Sequence, residues 1–323
     1  MDARRMLDYD VVDVFTDRAF AGNPLAVVHG AQGLSTGQLQ QLAREFSYSE
    51  SAFPMSPTGP SDCVSDDASS GCADYRLRIF TPSGELPFAG HPSIGTAWVL
   101  RSRGLLAGPT ASQECGAGRA ALHLGDADDG LVWLTGLSPM CRGVLGGPDV
   151  ALALDAVGLV ADDLAGPATT VAGAGLDFCF LLVHPDALGR VNPGLAALTR
   201  LRLALQDRYS CGIGGVSVVV WPEPAGGPPA RLAVRVFSDD AGAVEDPATG
   251  SAALGLQAAL VDLALLPADG ASELVLSQGT ELGRPSTLHC RVEARGGTAV
   301  RCQVGGQVVP VARGSIRVPP VNR

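Results

Sequence analysis

The chain has 323 residues, 46% of them apolar, and a formal charge of −10; that length and apolar share allow a substantial core and two domains of ordinary size. An acidic balance without a basic cluster excludes the footprint of a nucleic-acid or anionic-membrane binder, and the lack of a secretory core or any run of about 18 apolar residues makes the expected protein soluble and cytoplasmic. All 23 basic residues are arginine, which excludes a lysine Schiff base, a pyridoxal phosphate lysine and the lysine of a P-loop.

Taken in chain order, an alternating pattern after the first five residues predicts a strand, and Leu25–Val28 a second, apolar one. A loop then leads to a helix over about Thr36–Phe46, with leucine at helical spacing. Glu50 follows that helix and enters a strand, within Ser47-Tyr48-Ser49-Glu50-Ser51-Ala52-Phe53. Pro57 to Asp74, rich in Ser, Asp and Gly, reads as a loop insertion. Cys63 and Cys72 flank part of it and could bridge under oxidation, but the eight cysteines are scattered without a C-x-x-C pair and read mainly as small buried hydrophobes. The five histidines show no zinc spacing, so no metal is implied.

From Arg78 onward the chain nearly repeats itself. Arg78-Ile79-Phe80-Thr81 and Arg235-Val236-Phe237-Ser238 are matching strands, 157 residues apart, each followed by a Gly/Pro-punctuated loop. Gly90-His91-Pro92-Ser93-Ile94-Gly95 then matches Gly250-Ser251-Ala252-Ala253-Leu254-Gly255 at a spacing of 160. Upstream, Phe178–Val183 and a helix over about 193–205 echo Leu25–Val28 and the helix over Thr36–Phe46. Downstream, helices over about 92–103 and 250–263 lead into strands over 119–136 and roughly 287–308. The two central helices carry almost no charge, as expected of a helix surrounded by sheet. The predicted fold is α+β, with two pseudo-symmetric domains, each a mixed sheet wrapped around a central helix. A linker is placed near Leu137–Pro148, and a final strand, Val309–Val318, crosses back, giving domains of 1–138 plus 310–323 and 139–309.

Both repeat loops put glycine, Gly90 and Gly250, at a helix start, where bare N–H groups and the helix dipole suit a carboxylate. If the halves pack about a pseudo-twofold axis, both starts face one cleft. The same glycines also serve tight turns and close packing. Glu50 and His91 stand near the first start, and Asp246, Thr249 and Ser251 near the second. A glutamate at a strand edge can equally be a solvated residue, Asp246 a capping residue and Ser251 a first-turn hydroxyl, so these residues alone do not select a base.

The run from Arg78 to Pro92, with Ala21-Gly22-Asn23-Pro24, Ser49-Glu50-Ser51, Glu245-Asp246-Pro247-Ala248-Thr249-Gly250-Ser251 and Gly283-Arg284-Pro285-Ser286, closely resembles the signature of the PhzF-like phenazine biosynthesis family, in order across nearly the whole chain. The resemblance implies a diaminopimelate-epimerase-like fold, usually homodimeric, and a cofactor-free isomerase acting on a small anionic substrate. It places the catalytic glutamate at Glu50 and substrate contacts at His91, Asp246 and Ser251, beside Gly90, Thr249 and Gly250. Ala89 and Thr249 stand where related epimerases carry cysteines, which disfavours a two-thiol racemase mechanism. The implied reaction is isomerisation of trans-2,3-dihydro-3-hydroxyanthranilate, in which Glu50 removes a proton at one carbon and returns it at another; partial burial of Glu50 would raise its proton affinity for that task. The rival readings are an epimerase or isomerase of the same family on another amino-acid-derived metabolite, and a noncatalytic binder with this fold.

Overall fold

Along Met6–Val14 the first strand (β1) is mostly apolar and runs into a buried stretch from Asp10 to Val14, as a strand does when it passes into the middle of a sheet. The computed structural model describes residues 5–59, 72–125, 130–165, 169–221, 230–239 and 244–321. Cys63 and most of the expected insertion over 57–74 lie outside the described residues. The chain divides into two units, 1–135 with 305–323 and 136–304. No helix among the described residues is long and apolar enough to cross a membrane.

In the first unit β1 pairs antiparallel with β2 (Asn23–Val28). A crossover through α1 (Thr36–Phe46) then brings β3 (Glu50–Met55) parallel to β2, with Leu25 opposite Glu50. Ser35 and Gln38 form a capping box that starts α1. The helix buries Leu39, Leu42 and Ala43 against Leu7, Val28, Phe53 and Phe80, and Ser47, in the left-handed region at φ 54°, ends it. That sharp stop makes Glu50 the first residue of the next strand.

β4 (Tyr75–Phe80) runs antiparallel to β3 and to the two-residue β5 (Glu85–Leu86). A second crossover through α2 (Gly90–Ser102) sets β6 (Thr110–Cys115) parallel to β4, and β7 (Gly118–Leu124) and β8 (Val132–Thr135) complete a meander. Ten residues of α2 are buried, so the helix is enclosed rather than amphipathic. Gly95 permits this, because a Cβ there would lie 2.7 Å from Leu25 and 2.8 Å from Val14. The final strand of the chain, Val308–Arg317, lies antiparallel along the whole of β1, with a bulge at Val11/Val12.

The second unit follows the same path after an opening strand and helix of its own. β9 (Met140–Val144) and α3 (Gly147–Val157) precede β10 (Thr170–Gly173) and β11 (Asp177–Val183). α4 (Leu195–Tyr209) then crosses to β12 (Ile213–Val220), parallel to β11. β13 (Ala230–Phe237), β14 (Glu245–Asp246), the buried α5 (Gly250–Asp262) and β15 (Gly270–Gln278), parallel to β13, repeat the second crossover. β16 (Ser286–Arg295) and β17 (Thr298–Gly306) follow, joined at Gly296-Gly297, both at positive φ; Val308–Arg317 is β18.

The expected linker near 137–148 is not bare connection. β9 occupies it, pairing antiparallel with β10, and α3 begins at its end. The region reads as a break in the sequence because Gly143, Gly146, Gly147 and Pro148 interrupt it, yet Gly143, at φ 115°, falls at a register shift in the strand pairing, and Pro148 sits in the first turn of the helix, where its missing N–H costs nothing.

Candidate active site

The seven residues singled out from sequence fall into two groups, one in each unit. In the first, the end of α1 delivers Glu50 to the head of β3, while Gly90 and His91 open α2. The Glu50 side chain is 12% exposed and that of His91 4%, and His91 Nε2 stands 3.5 Å from Glu50 Oε2. On the other edge of the imidazole, the Asn23 amide nitrogen lies 3.3 Å from His91 Nδ1, and the Ser49 hydroxyl donates to Asn23 Oδ1 at 3.0 Å. Burial pushes the imidazolium of His91 down to a pKa of about 3, because the charged ring loses its hydration. The ring is therefore neutral at neutral pH.

In the second group, Asp246 ends β14, Thr249 precedes α5, and Gly250 and Ser251 are buried in the helix's first turn. The Thr249 hydroxyl donates to Asp246 Oδ2 at 2.6 Å. Gln278, at the end of β15 and 3% exposed, holds this corner together. Its Oε1 accepts from the Thr249 N–H at 3.1 Å, and its Nε2 donates to the Asp246 carbonyl at 2.8 Å and to the Thr249 hydroxyl at 3.0 Å. Gly279, at φ 78°, leaves room for the carbonyls of Pro247 and Arg284, each 2.5 Å from where a Cβ would stand.

Neither α2 nor α5 has a side-chain cap at its N-terminus. Ala89 has no side chain to supply one, and the Thr249 hydroxyl is committed to Asp246 and Gln278. First-turn N–H groups left without caps are donors for an anionic group.

A matching ion bridge precedes each helix start. Arg78 grips both carboxylate oxygens of Glu85, at 2.7 and 2.6 Å, and its guanidinium lies 5.1 Å from the Phe80 ring centroid. Arg235 grips Glu245 at 2.8 and 2.8 Å and lies 5.1 Å from the Phe237 ring. In each unit the bridge ties a two-residue strand to the long strand beside it, four or five residues before the helix begins.

Among the described free cysteines, thiol chemistry is poorly served. Burial pushes the Cys179 and Cys302 thiols up to about 12 and Cys211 to about 11, and also raises Cys115, Cys141 and Cys290. A thiol so placed is not the nucleophile or base at neutral pH.

Sequence reading did not assign Asn23, Ser49 or Gln278. Asn23 and Ser49 do occur within the quoted signature blocks, which was the available signal. Gln278 carries none, because its importance depends on where a strand ends against β14.

A family model, phenazine biosynthesis-like protein (PhzC-PhzF), matches residues 12–314 of this chain. An uncharacterized isomerase of Mesorhizobium japonicum is 31% identical over 318 residues, covering 96% of this chain and 98% of that protein. The trans-2,3-dihydro-3-hydroxyanthranilate isomerase of Pseudomonas chlororaphis is 31% identical over 316 residues, covering 96% and 99%. Among solved structures, a PhzF-family phenazine biosynthesis protein of Bacillus anthracis superposes with a TM-score of 0.78 at 22% identity, covering 97% of this chain and 99% of its own; at that identity the likeness speaks for the fold.

Proposed function

Because the chain belongs to the phenazine biosynthesis-like (PhzC-PhzF) family and is an isomerase, we propose that it moves a proton on a small cyclic amino-acid-like carboxylate, of the trans-2,3-dihydro-3-hydroxyanthranilate type, by general acid/base catalysis at Glu50. The observation that carries this reading is the pairing of the half-buried Glu50 carboxylate with the neutral imidazole of His91, 3.5 Å apart at the start of α2. A carboxylate placed there can accept a proton from one substrate carbon and, as the acid, return it at another, which leaves the protein unchanged and needs no cofactor.

In this reading His91, Gly90, Asp246, Thr249, Gly250 and Ser251 bind the substrate. The uncapped N–H groups of α2 and α5 favour its carboxylate, and the Asp246 carboxylate favours an amino group. The enzyme works as a cytoplasmic homodimer, in keeping with the family resemblance. The test is direct: the purified full chain is mixed with trans-2,3-dihydro-3-hydroxyanthranilate, without added cofactor, and product is followed by NMR. Conversion with turnover is expected; an unconverted substrate would remove this compound class from the reading.

A further inference from the structure

The role given to His91 does not say which ring nitrogen carries its proton, and the surroundings of the ring decide it. Nε2 faces a carboxylate oxygen of Glu50 at 3.5 Å. A lone pair pointed at that carboxylate would be repelled, whereas an N–H is attracted. For Nε2 to keep the proton in a neutral ring, Nδ1 must be an acceptor, and so needs a donor.

Asn23 supplies it. The residue is fully buried, and its Nδ2 lies 3.3 Å from His91 Nδ1. Its carboxamide is oriented by Ser49, whose hydroxyl donates to Oδ1 at 3.0 Å, leaving the NH2 group for the imidazole. The backbone fixes the amide's position. Gly22 stands at φ 67°, where a Cβ would lie 2.3 Å from the Val14 carbonyl, and Asn23 pairs with Val14 at the end of the β1–β2 ladder.

We infer that Asn23, held by the Ser49 hydroxyl, is a positioning residue that keeps His91 as the neutral Nε2–H tautomer with that N–H directed at the Glu50 carboxylate. The tautomer follows from the three contacts with Glu50 ionised; its catalytic consequence rests on the proposed role of Glu50. Through His91, Asn23 fixes where the one N–H of the ring points, toward the carboxylate that would exchange protons with the substrate. Glu50 sets an ionisable side chain against Nε2, and the Asn23 amide covers the opposite nitrogen. Burial keeps the ring from taking a second proton near neutrality.

The experiment is nitrogen NMR on the full chain labelled at its five histidines, with His91 assigned by loss of its signals in His91→Gln. The wild type is expected to show a neutral ring protonated at Nε2, unchanged from about pH 5 to 9. In Asn23→Asp a carboxylate replaces the amide donor, so the ring should move to the Nδ1–H form or take up a second proton, with its titration shifted up by at least about one pH unit. The kcat of that variant should fall by about tenfold or more, as expected when a histidine is held in the wrong tautomer. A wild-type ring protonated at Nδ1 overturns the inference whether or not any variant folds. A folded Asn23→Asp variant with the wild-type tautomer and titration overturns the role of Asn23. If Glu50→Gln keeps its activity, the proposed function fails, and the spectrum still decides the tautomer separately.

Discussion

Full burial of the His91 imidazole has a consequence for stability as well as for chemistry. In the unfolded chain this histidine titrates near 6.5, whereas in the fold it is held down to about 3. Between those values the unfolded state binds more protons, so stability must fall as pH drops below about 6.5 and keep falling toward 3. The slope this one group adds is at most about 1.4 kcal/mol per pH unit. Urea unfolding of wild type and His91→Gln between pH 4 and 8 should therefore show a shallower acid-side loss in the variant. Parallel curves would mean that His91 is hydrated in solution. The types of residue at this corner were legible in the sequence, because Glu50 and His91 lie in the signature blocks. Their 3.5 Å approach was not, since it depends on the β2–β3 register and on the point where α2 begins. Asn23 lies in a signature block too, but its sequence neighbours name no partner for its side chain, and only its burial against an imidazole gives it one.

At the scale of elements, the duplicated strand, loop and helix start was the most readable part of the chain. Arg78-Ile79-Phe80 and Arg235-Val236-Phe237 predicted matching strands, and the structure adds that their arginines make matching bidentate bridges and stack near matching phenylalanines. The bridges differ in burial. The Arg235 and Glu245 side chains are 9% and 12% exposed, against 15% and 36% for Arg78 and Glu85. Arg235 also donates to the carbonyls of Leu188 and Val191. Removing a partner from the buried pair strands a desolvated carboxylate and should cost about 3 kcal/mol, whereas the more exposed pair should cost about 1 kcal/mol or less. Denaturant midpoints of Arg235→Met and Arg78→Met should thus separate clearly, with Arg235→Met the less stable; equal losses would contradict this division. The segment after β8 was harder to read. β9 and α3 are short and glycine-rich at their borders, and β9 lies against β10 as β18 lies against β1, a match out of chain order, so neither periodicity nor the repeat announces them.

For the whole molecule, the two units share one order of strands, crossovers and buried helix, and each ends its loop into that helix with glycine at the first position. Polar residues gather at both helix starts, and at the first of them Glu50 stands 3.5 Å from His91. The absence of lysine and the raised thiols of the described free cysteines support the proposed carboxylate base. The measurement that tests this account most directly is the turnover of trans-2,3-dihydro-3-hydroxyanthranilate by Glu50→Gln beside the wild type, with circular dichroism and unfolding curves showing both folded. Glu50→Gln is expected to lose about 10²- to 10⁴-fold in kcat while still binding an unreactive anthranilate analogue. A folded Glu50→Gln protein that converts the substrate at close to the wild-type rate would contradict it.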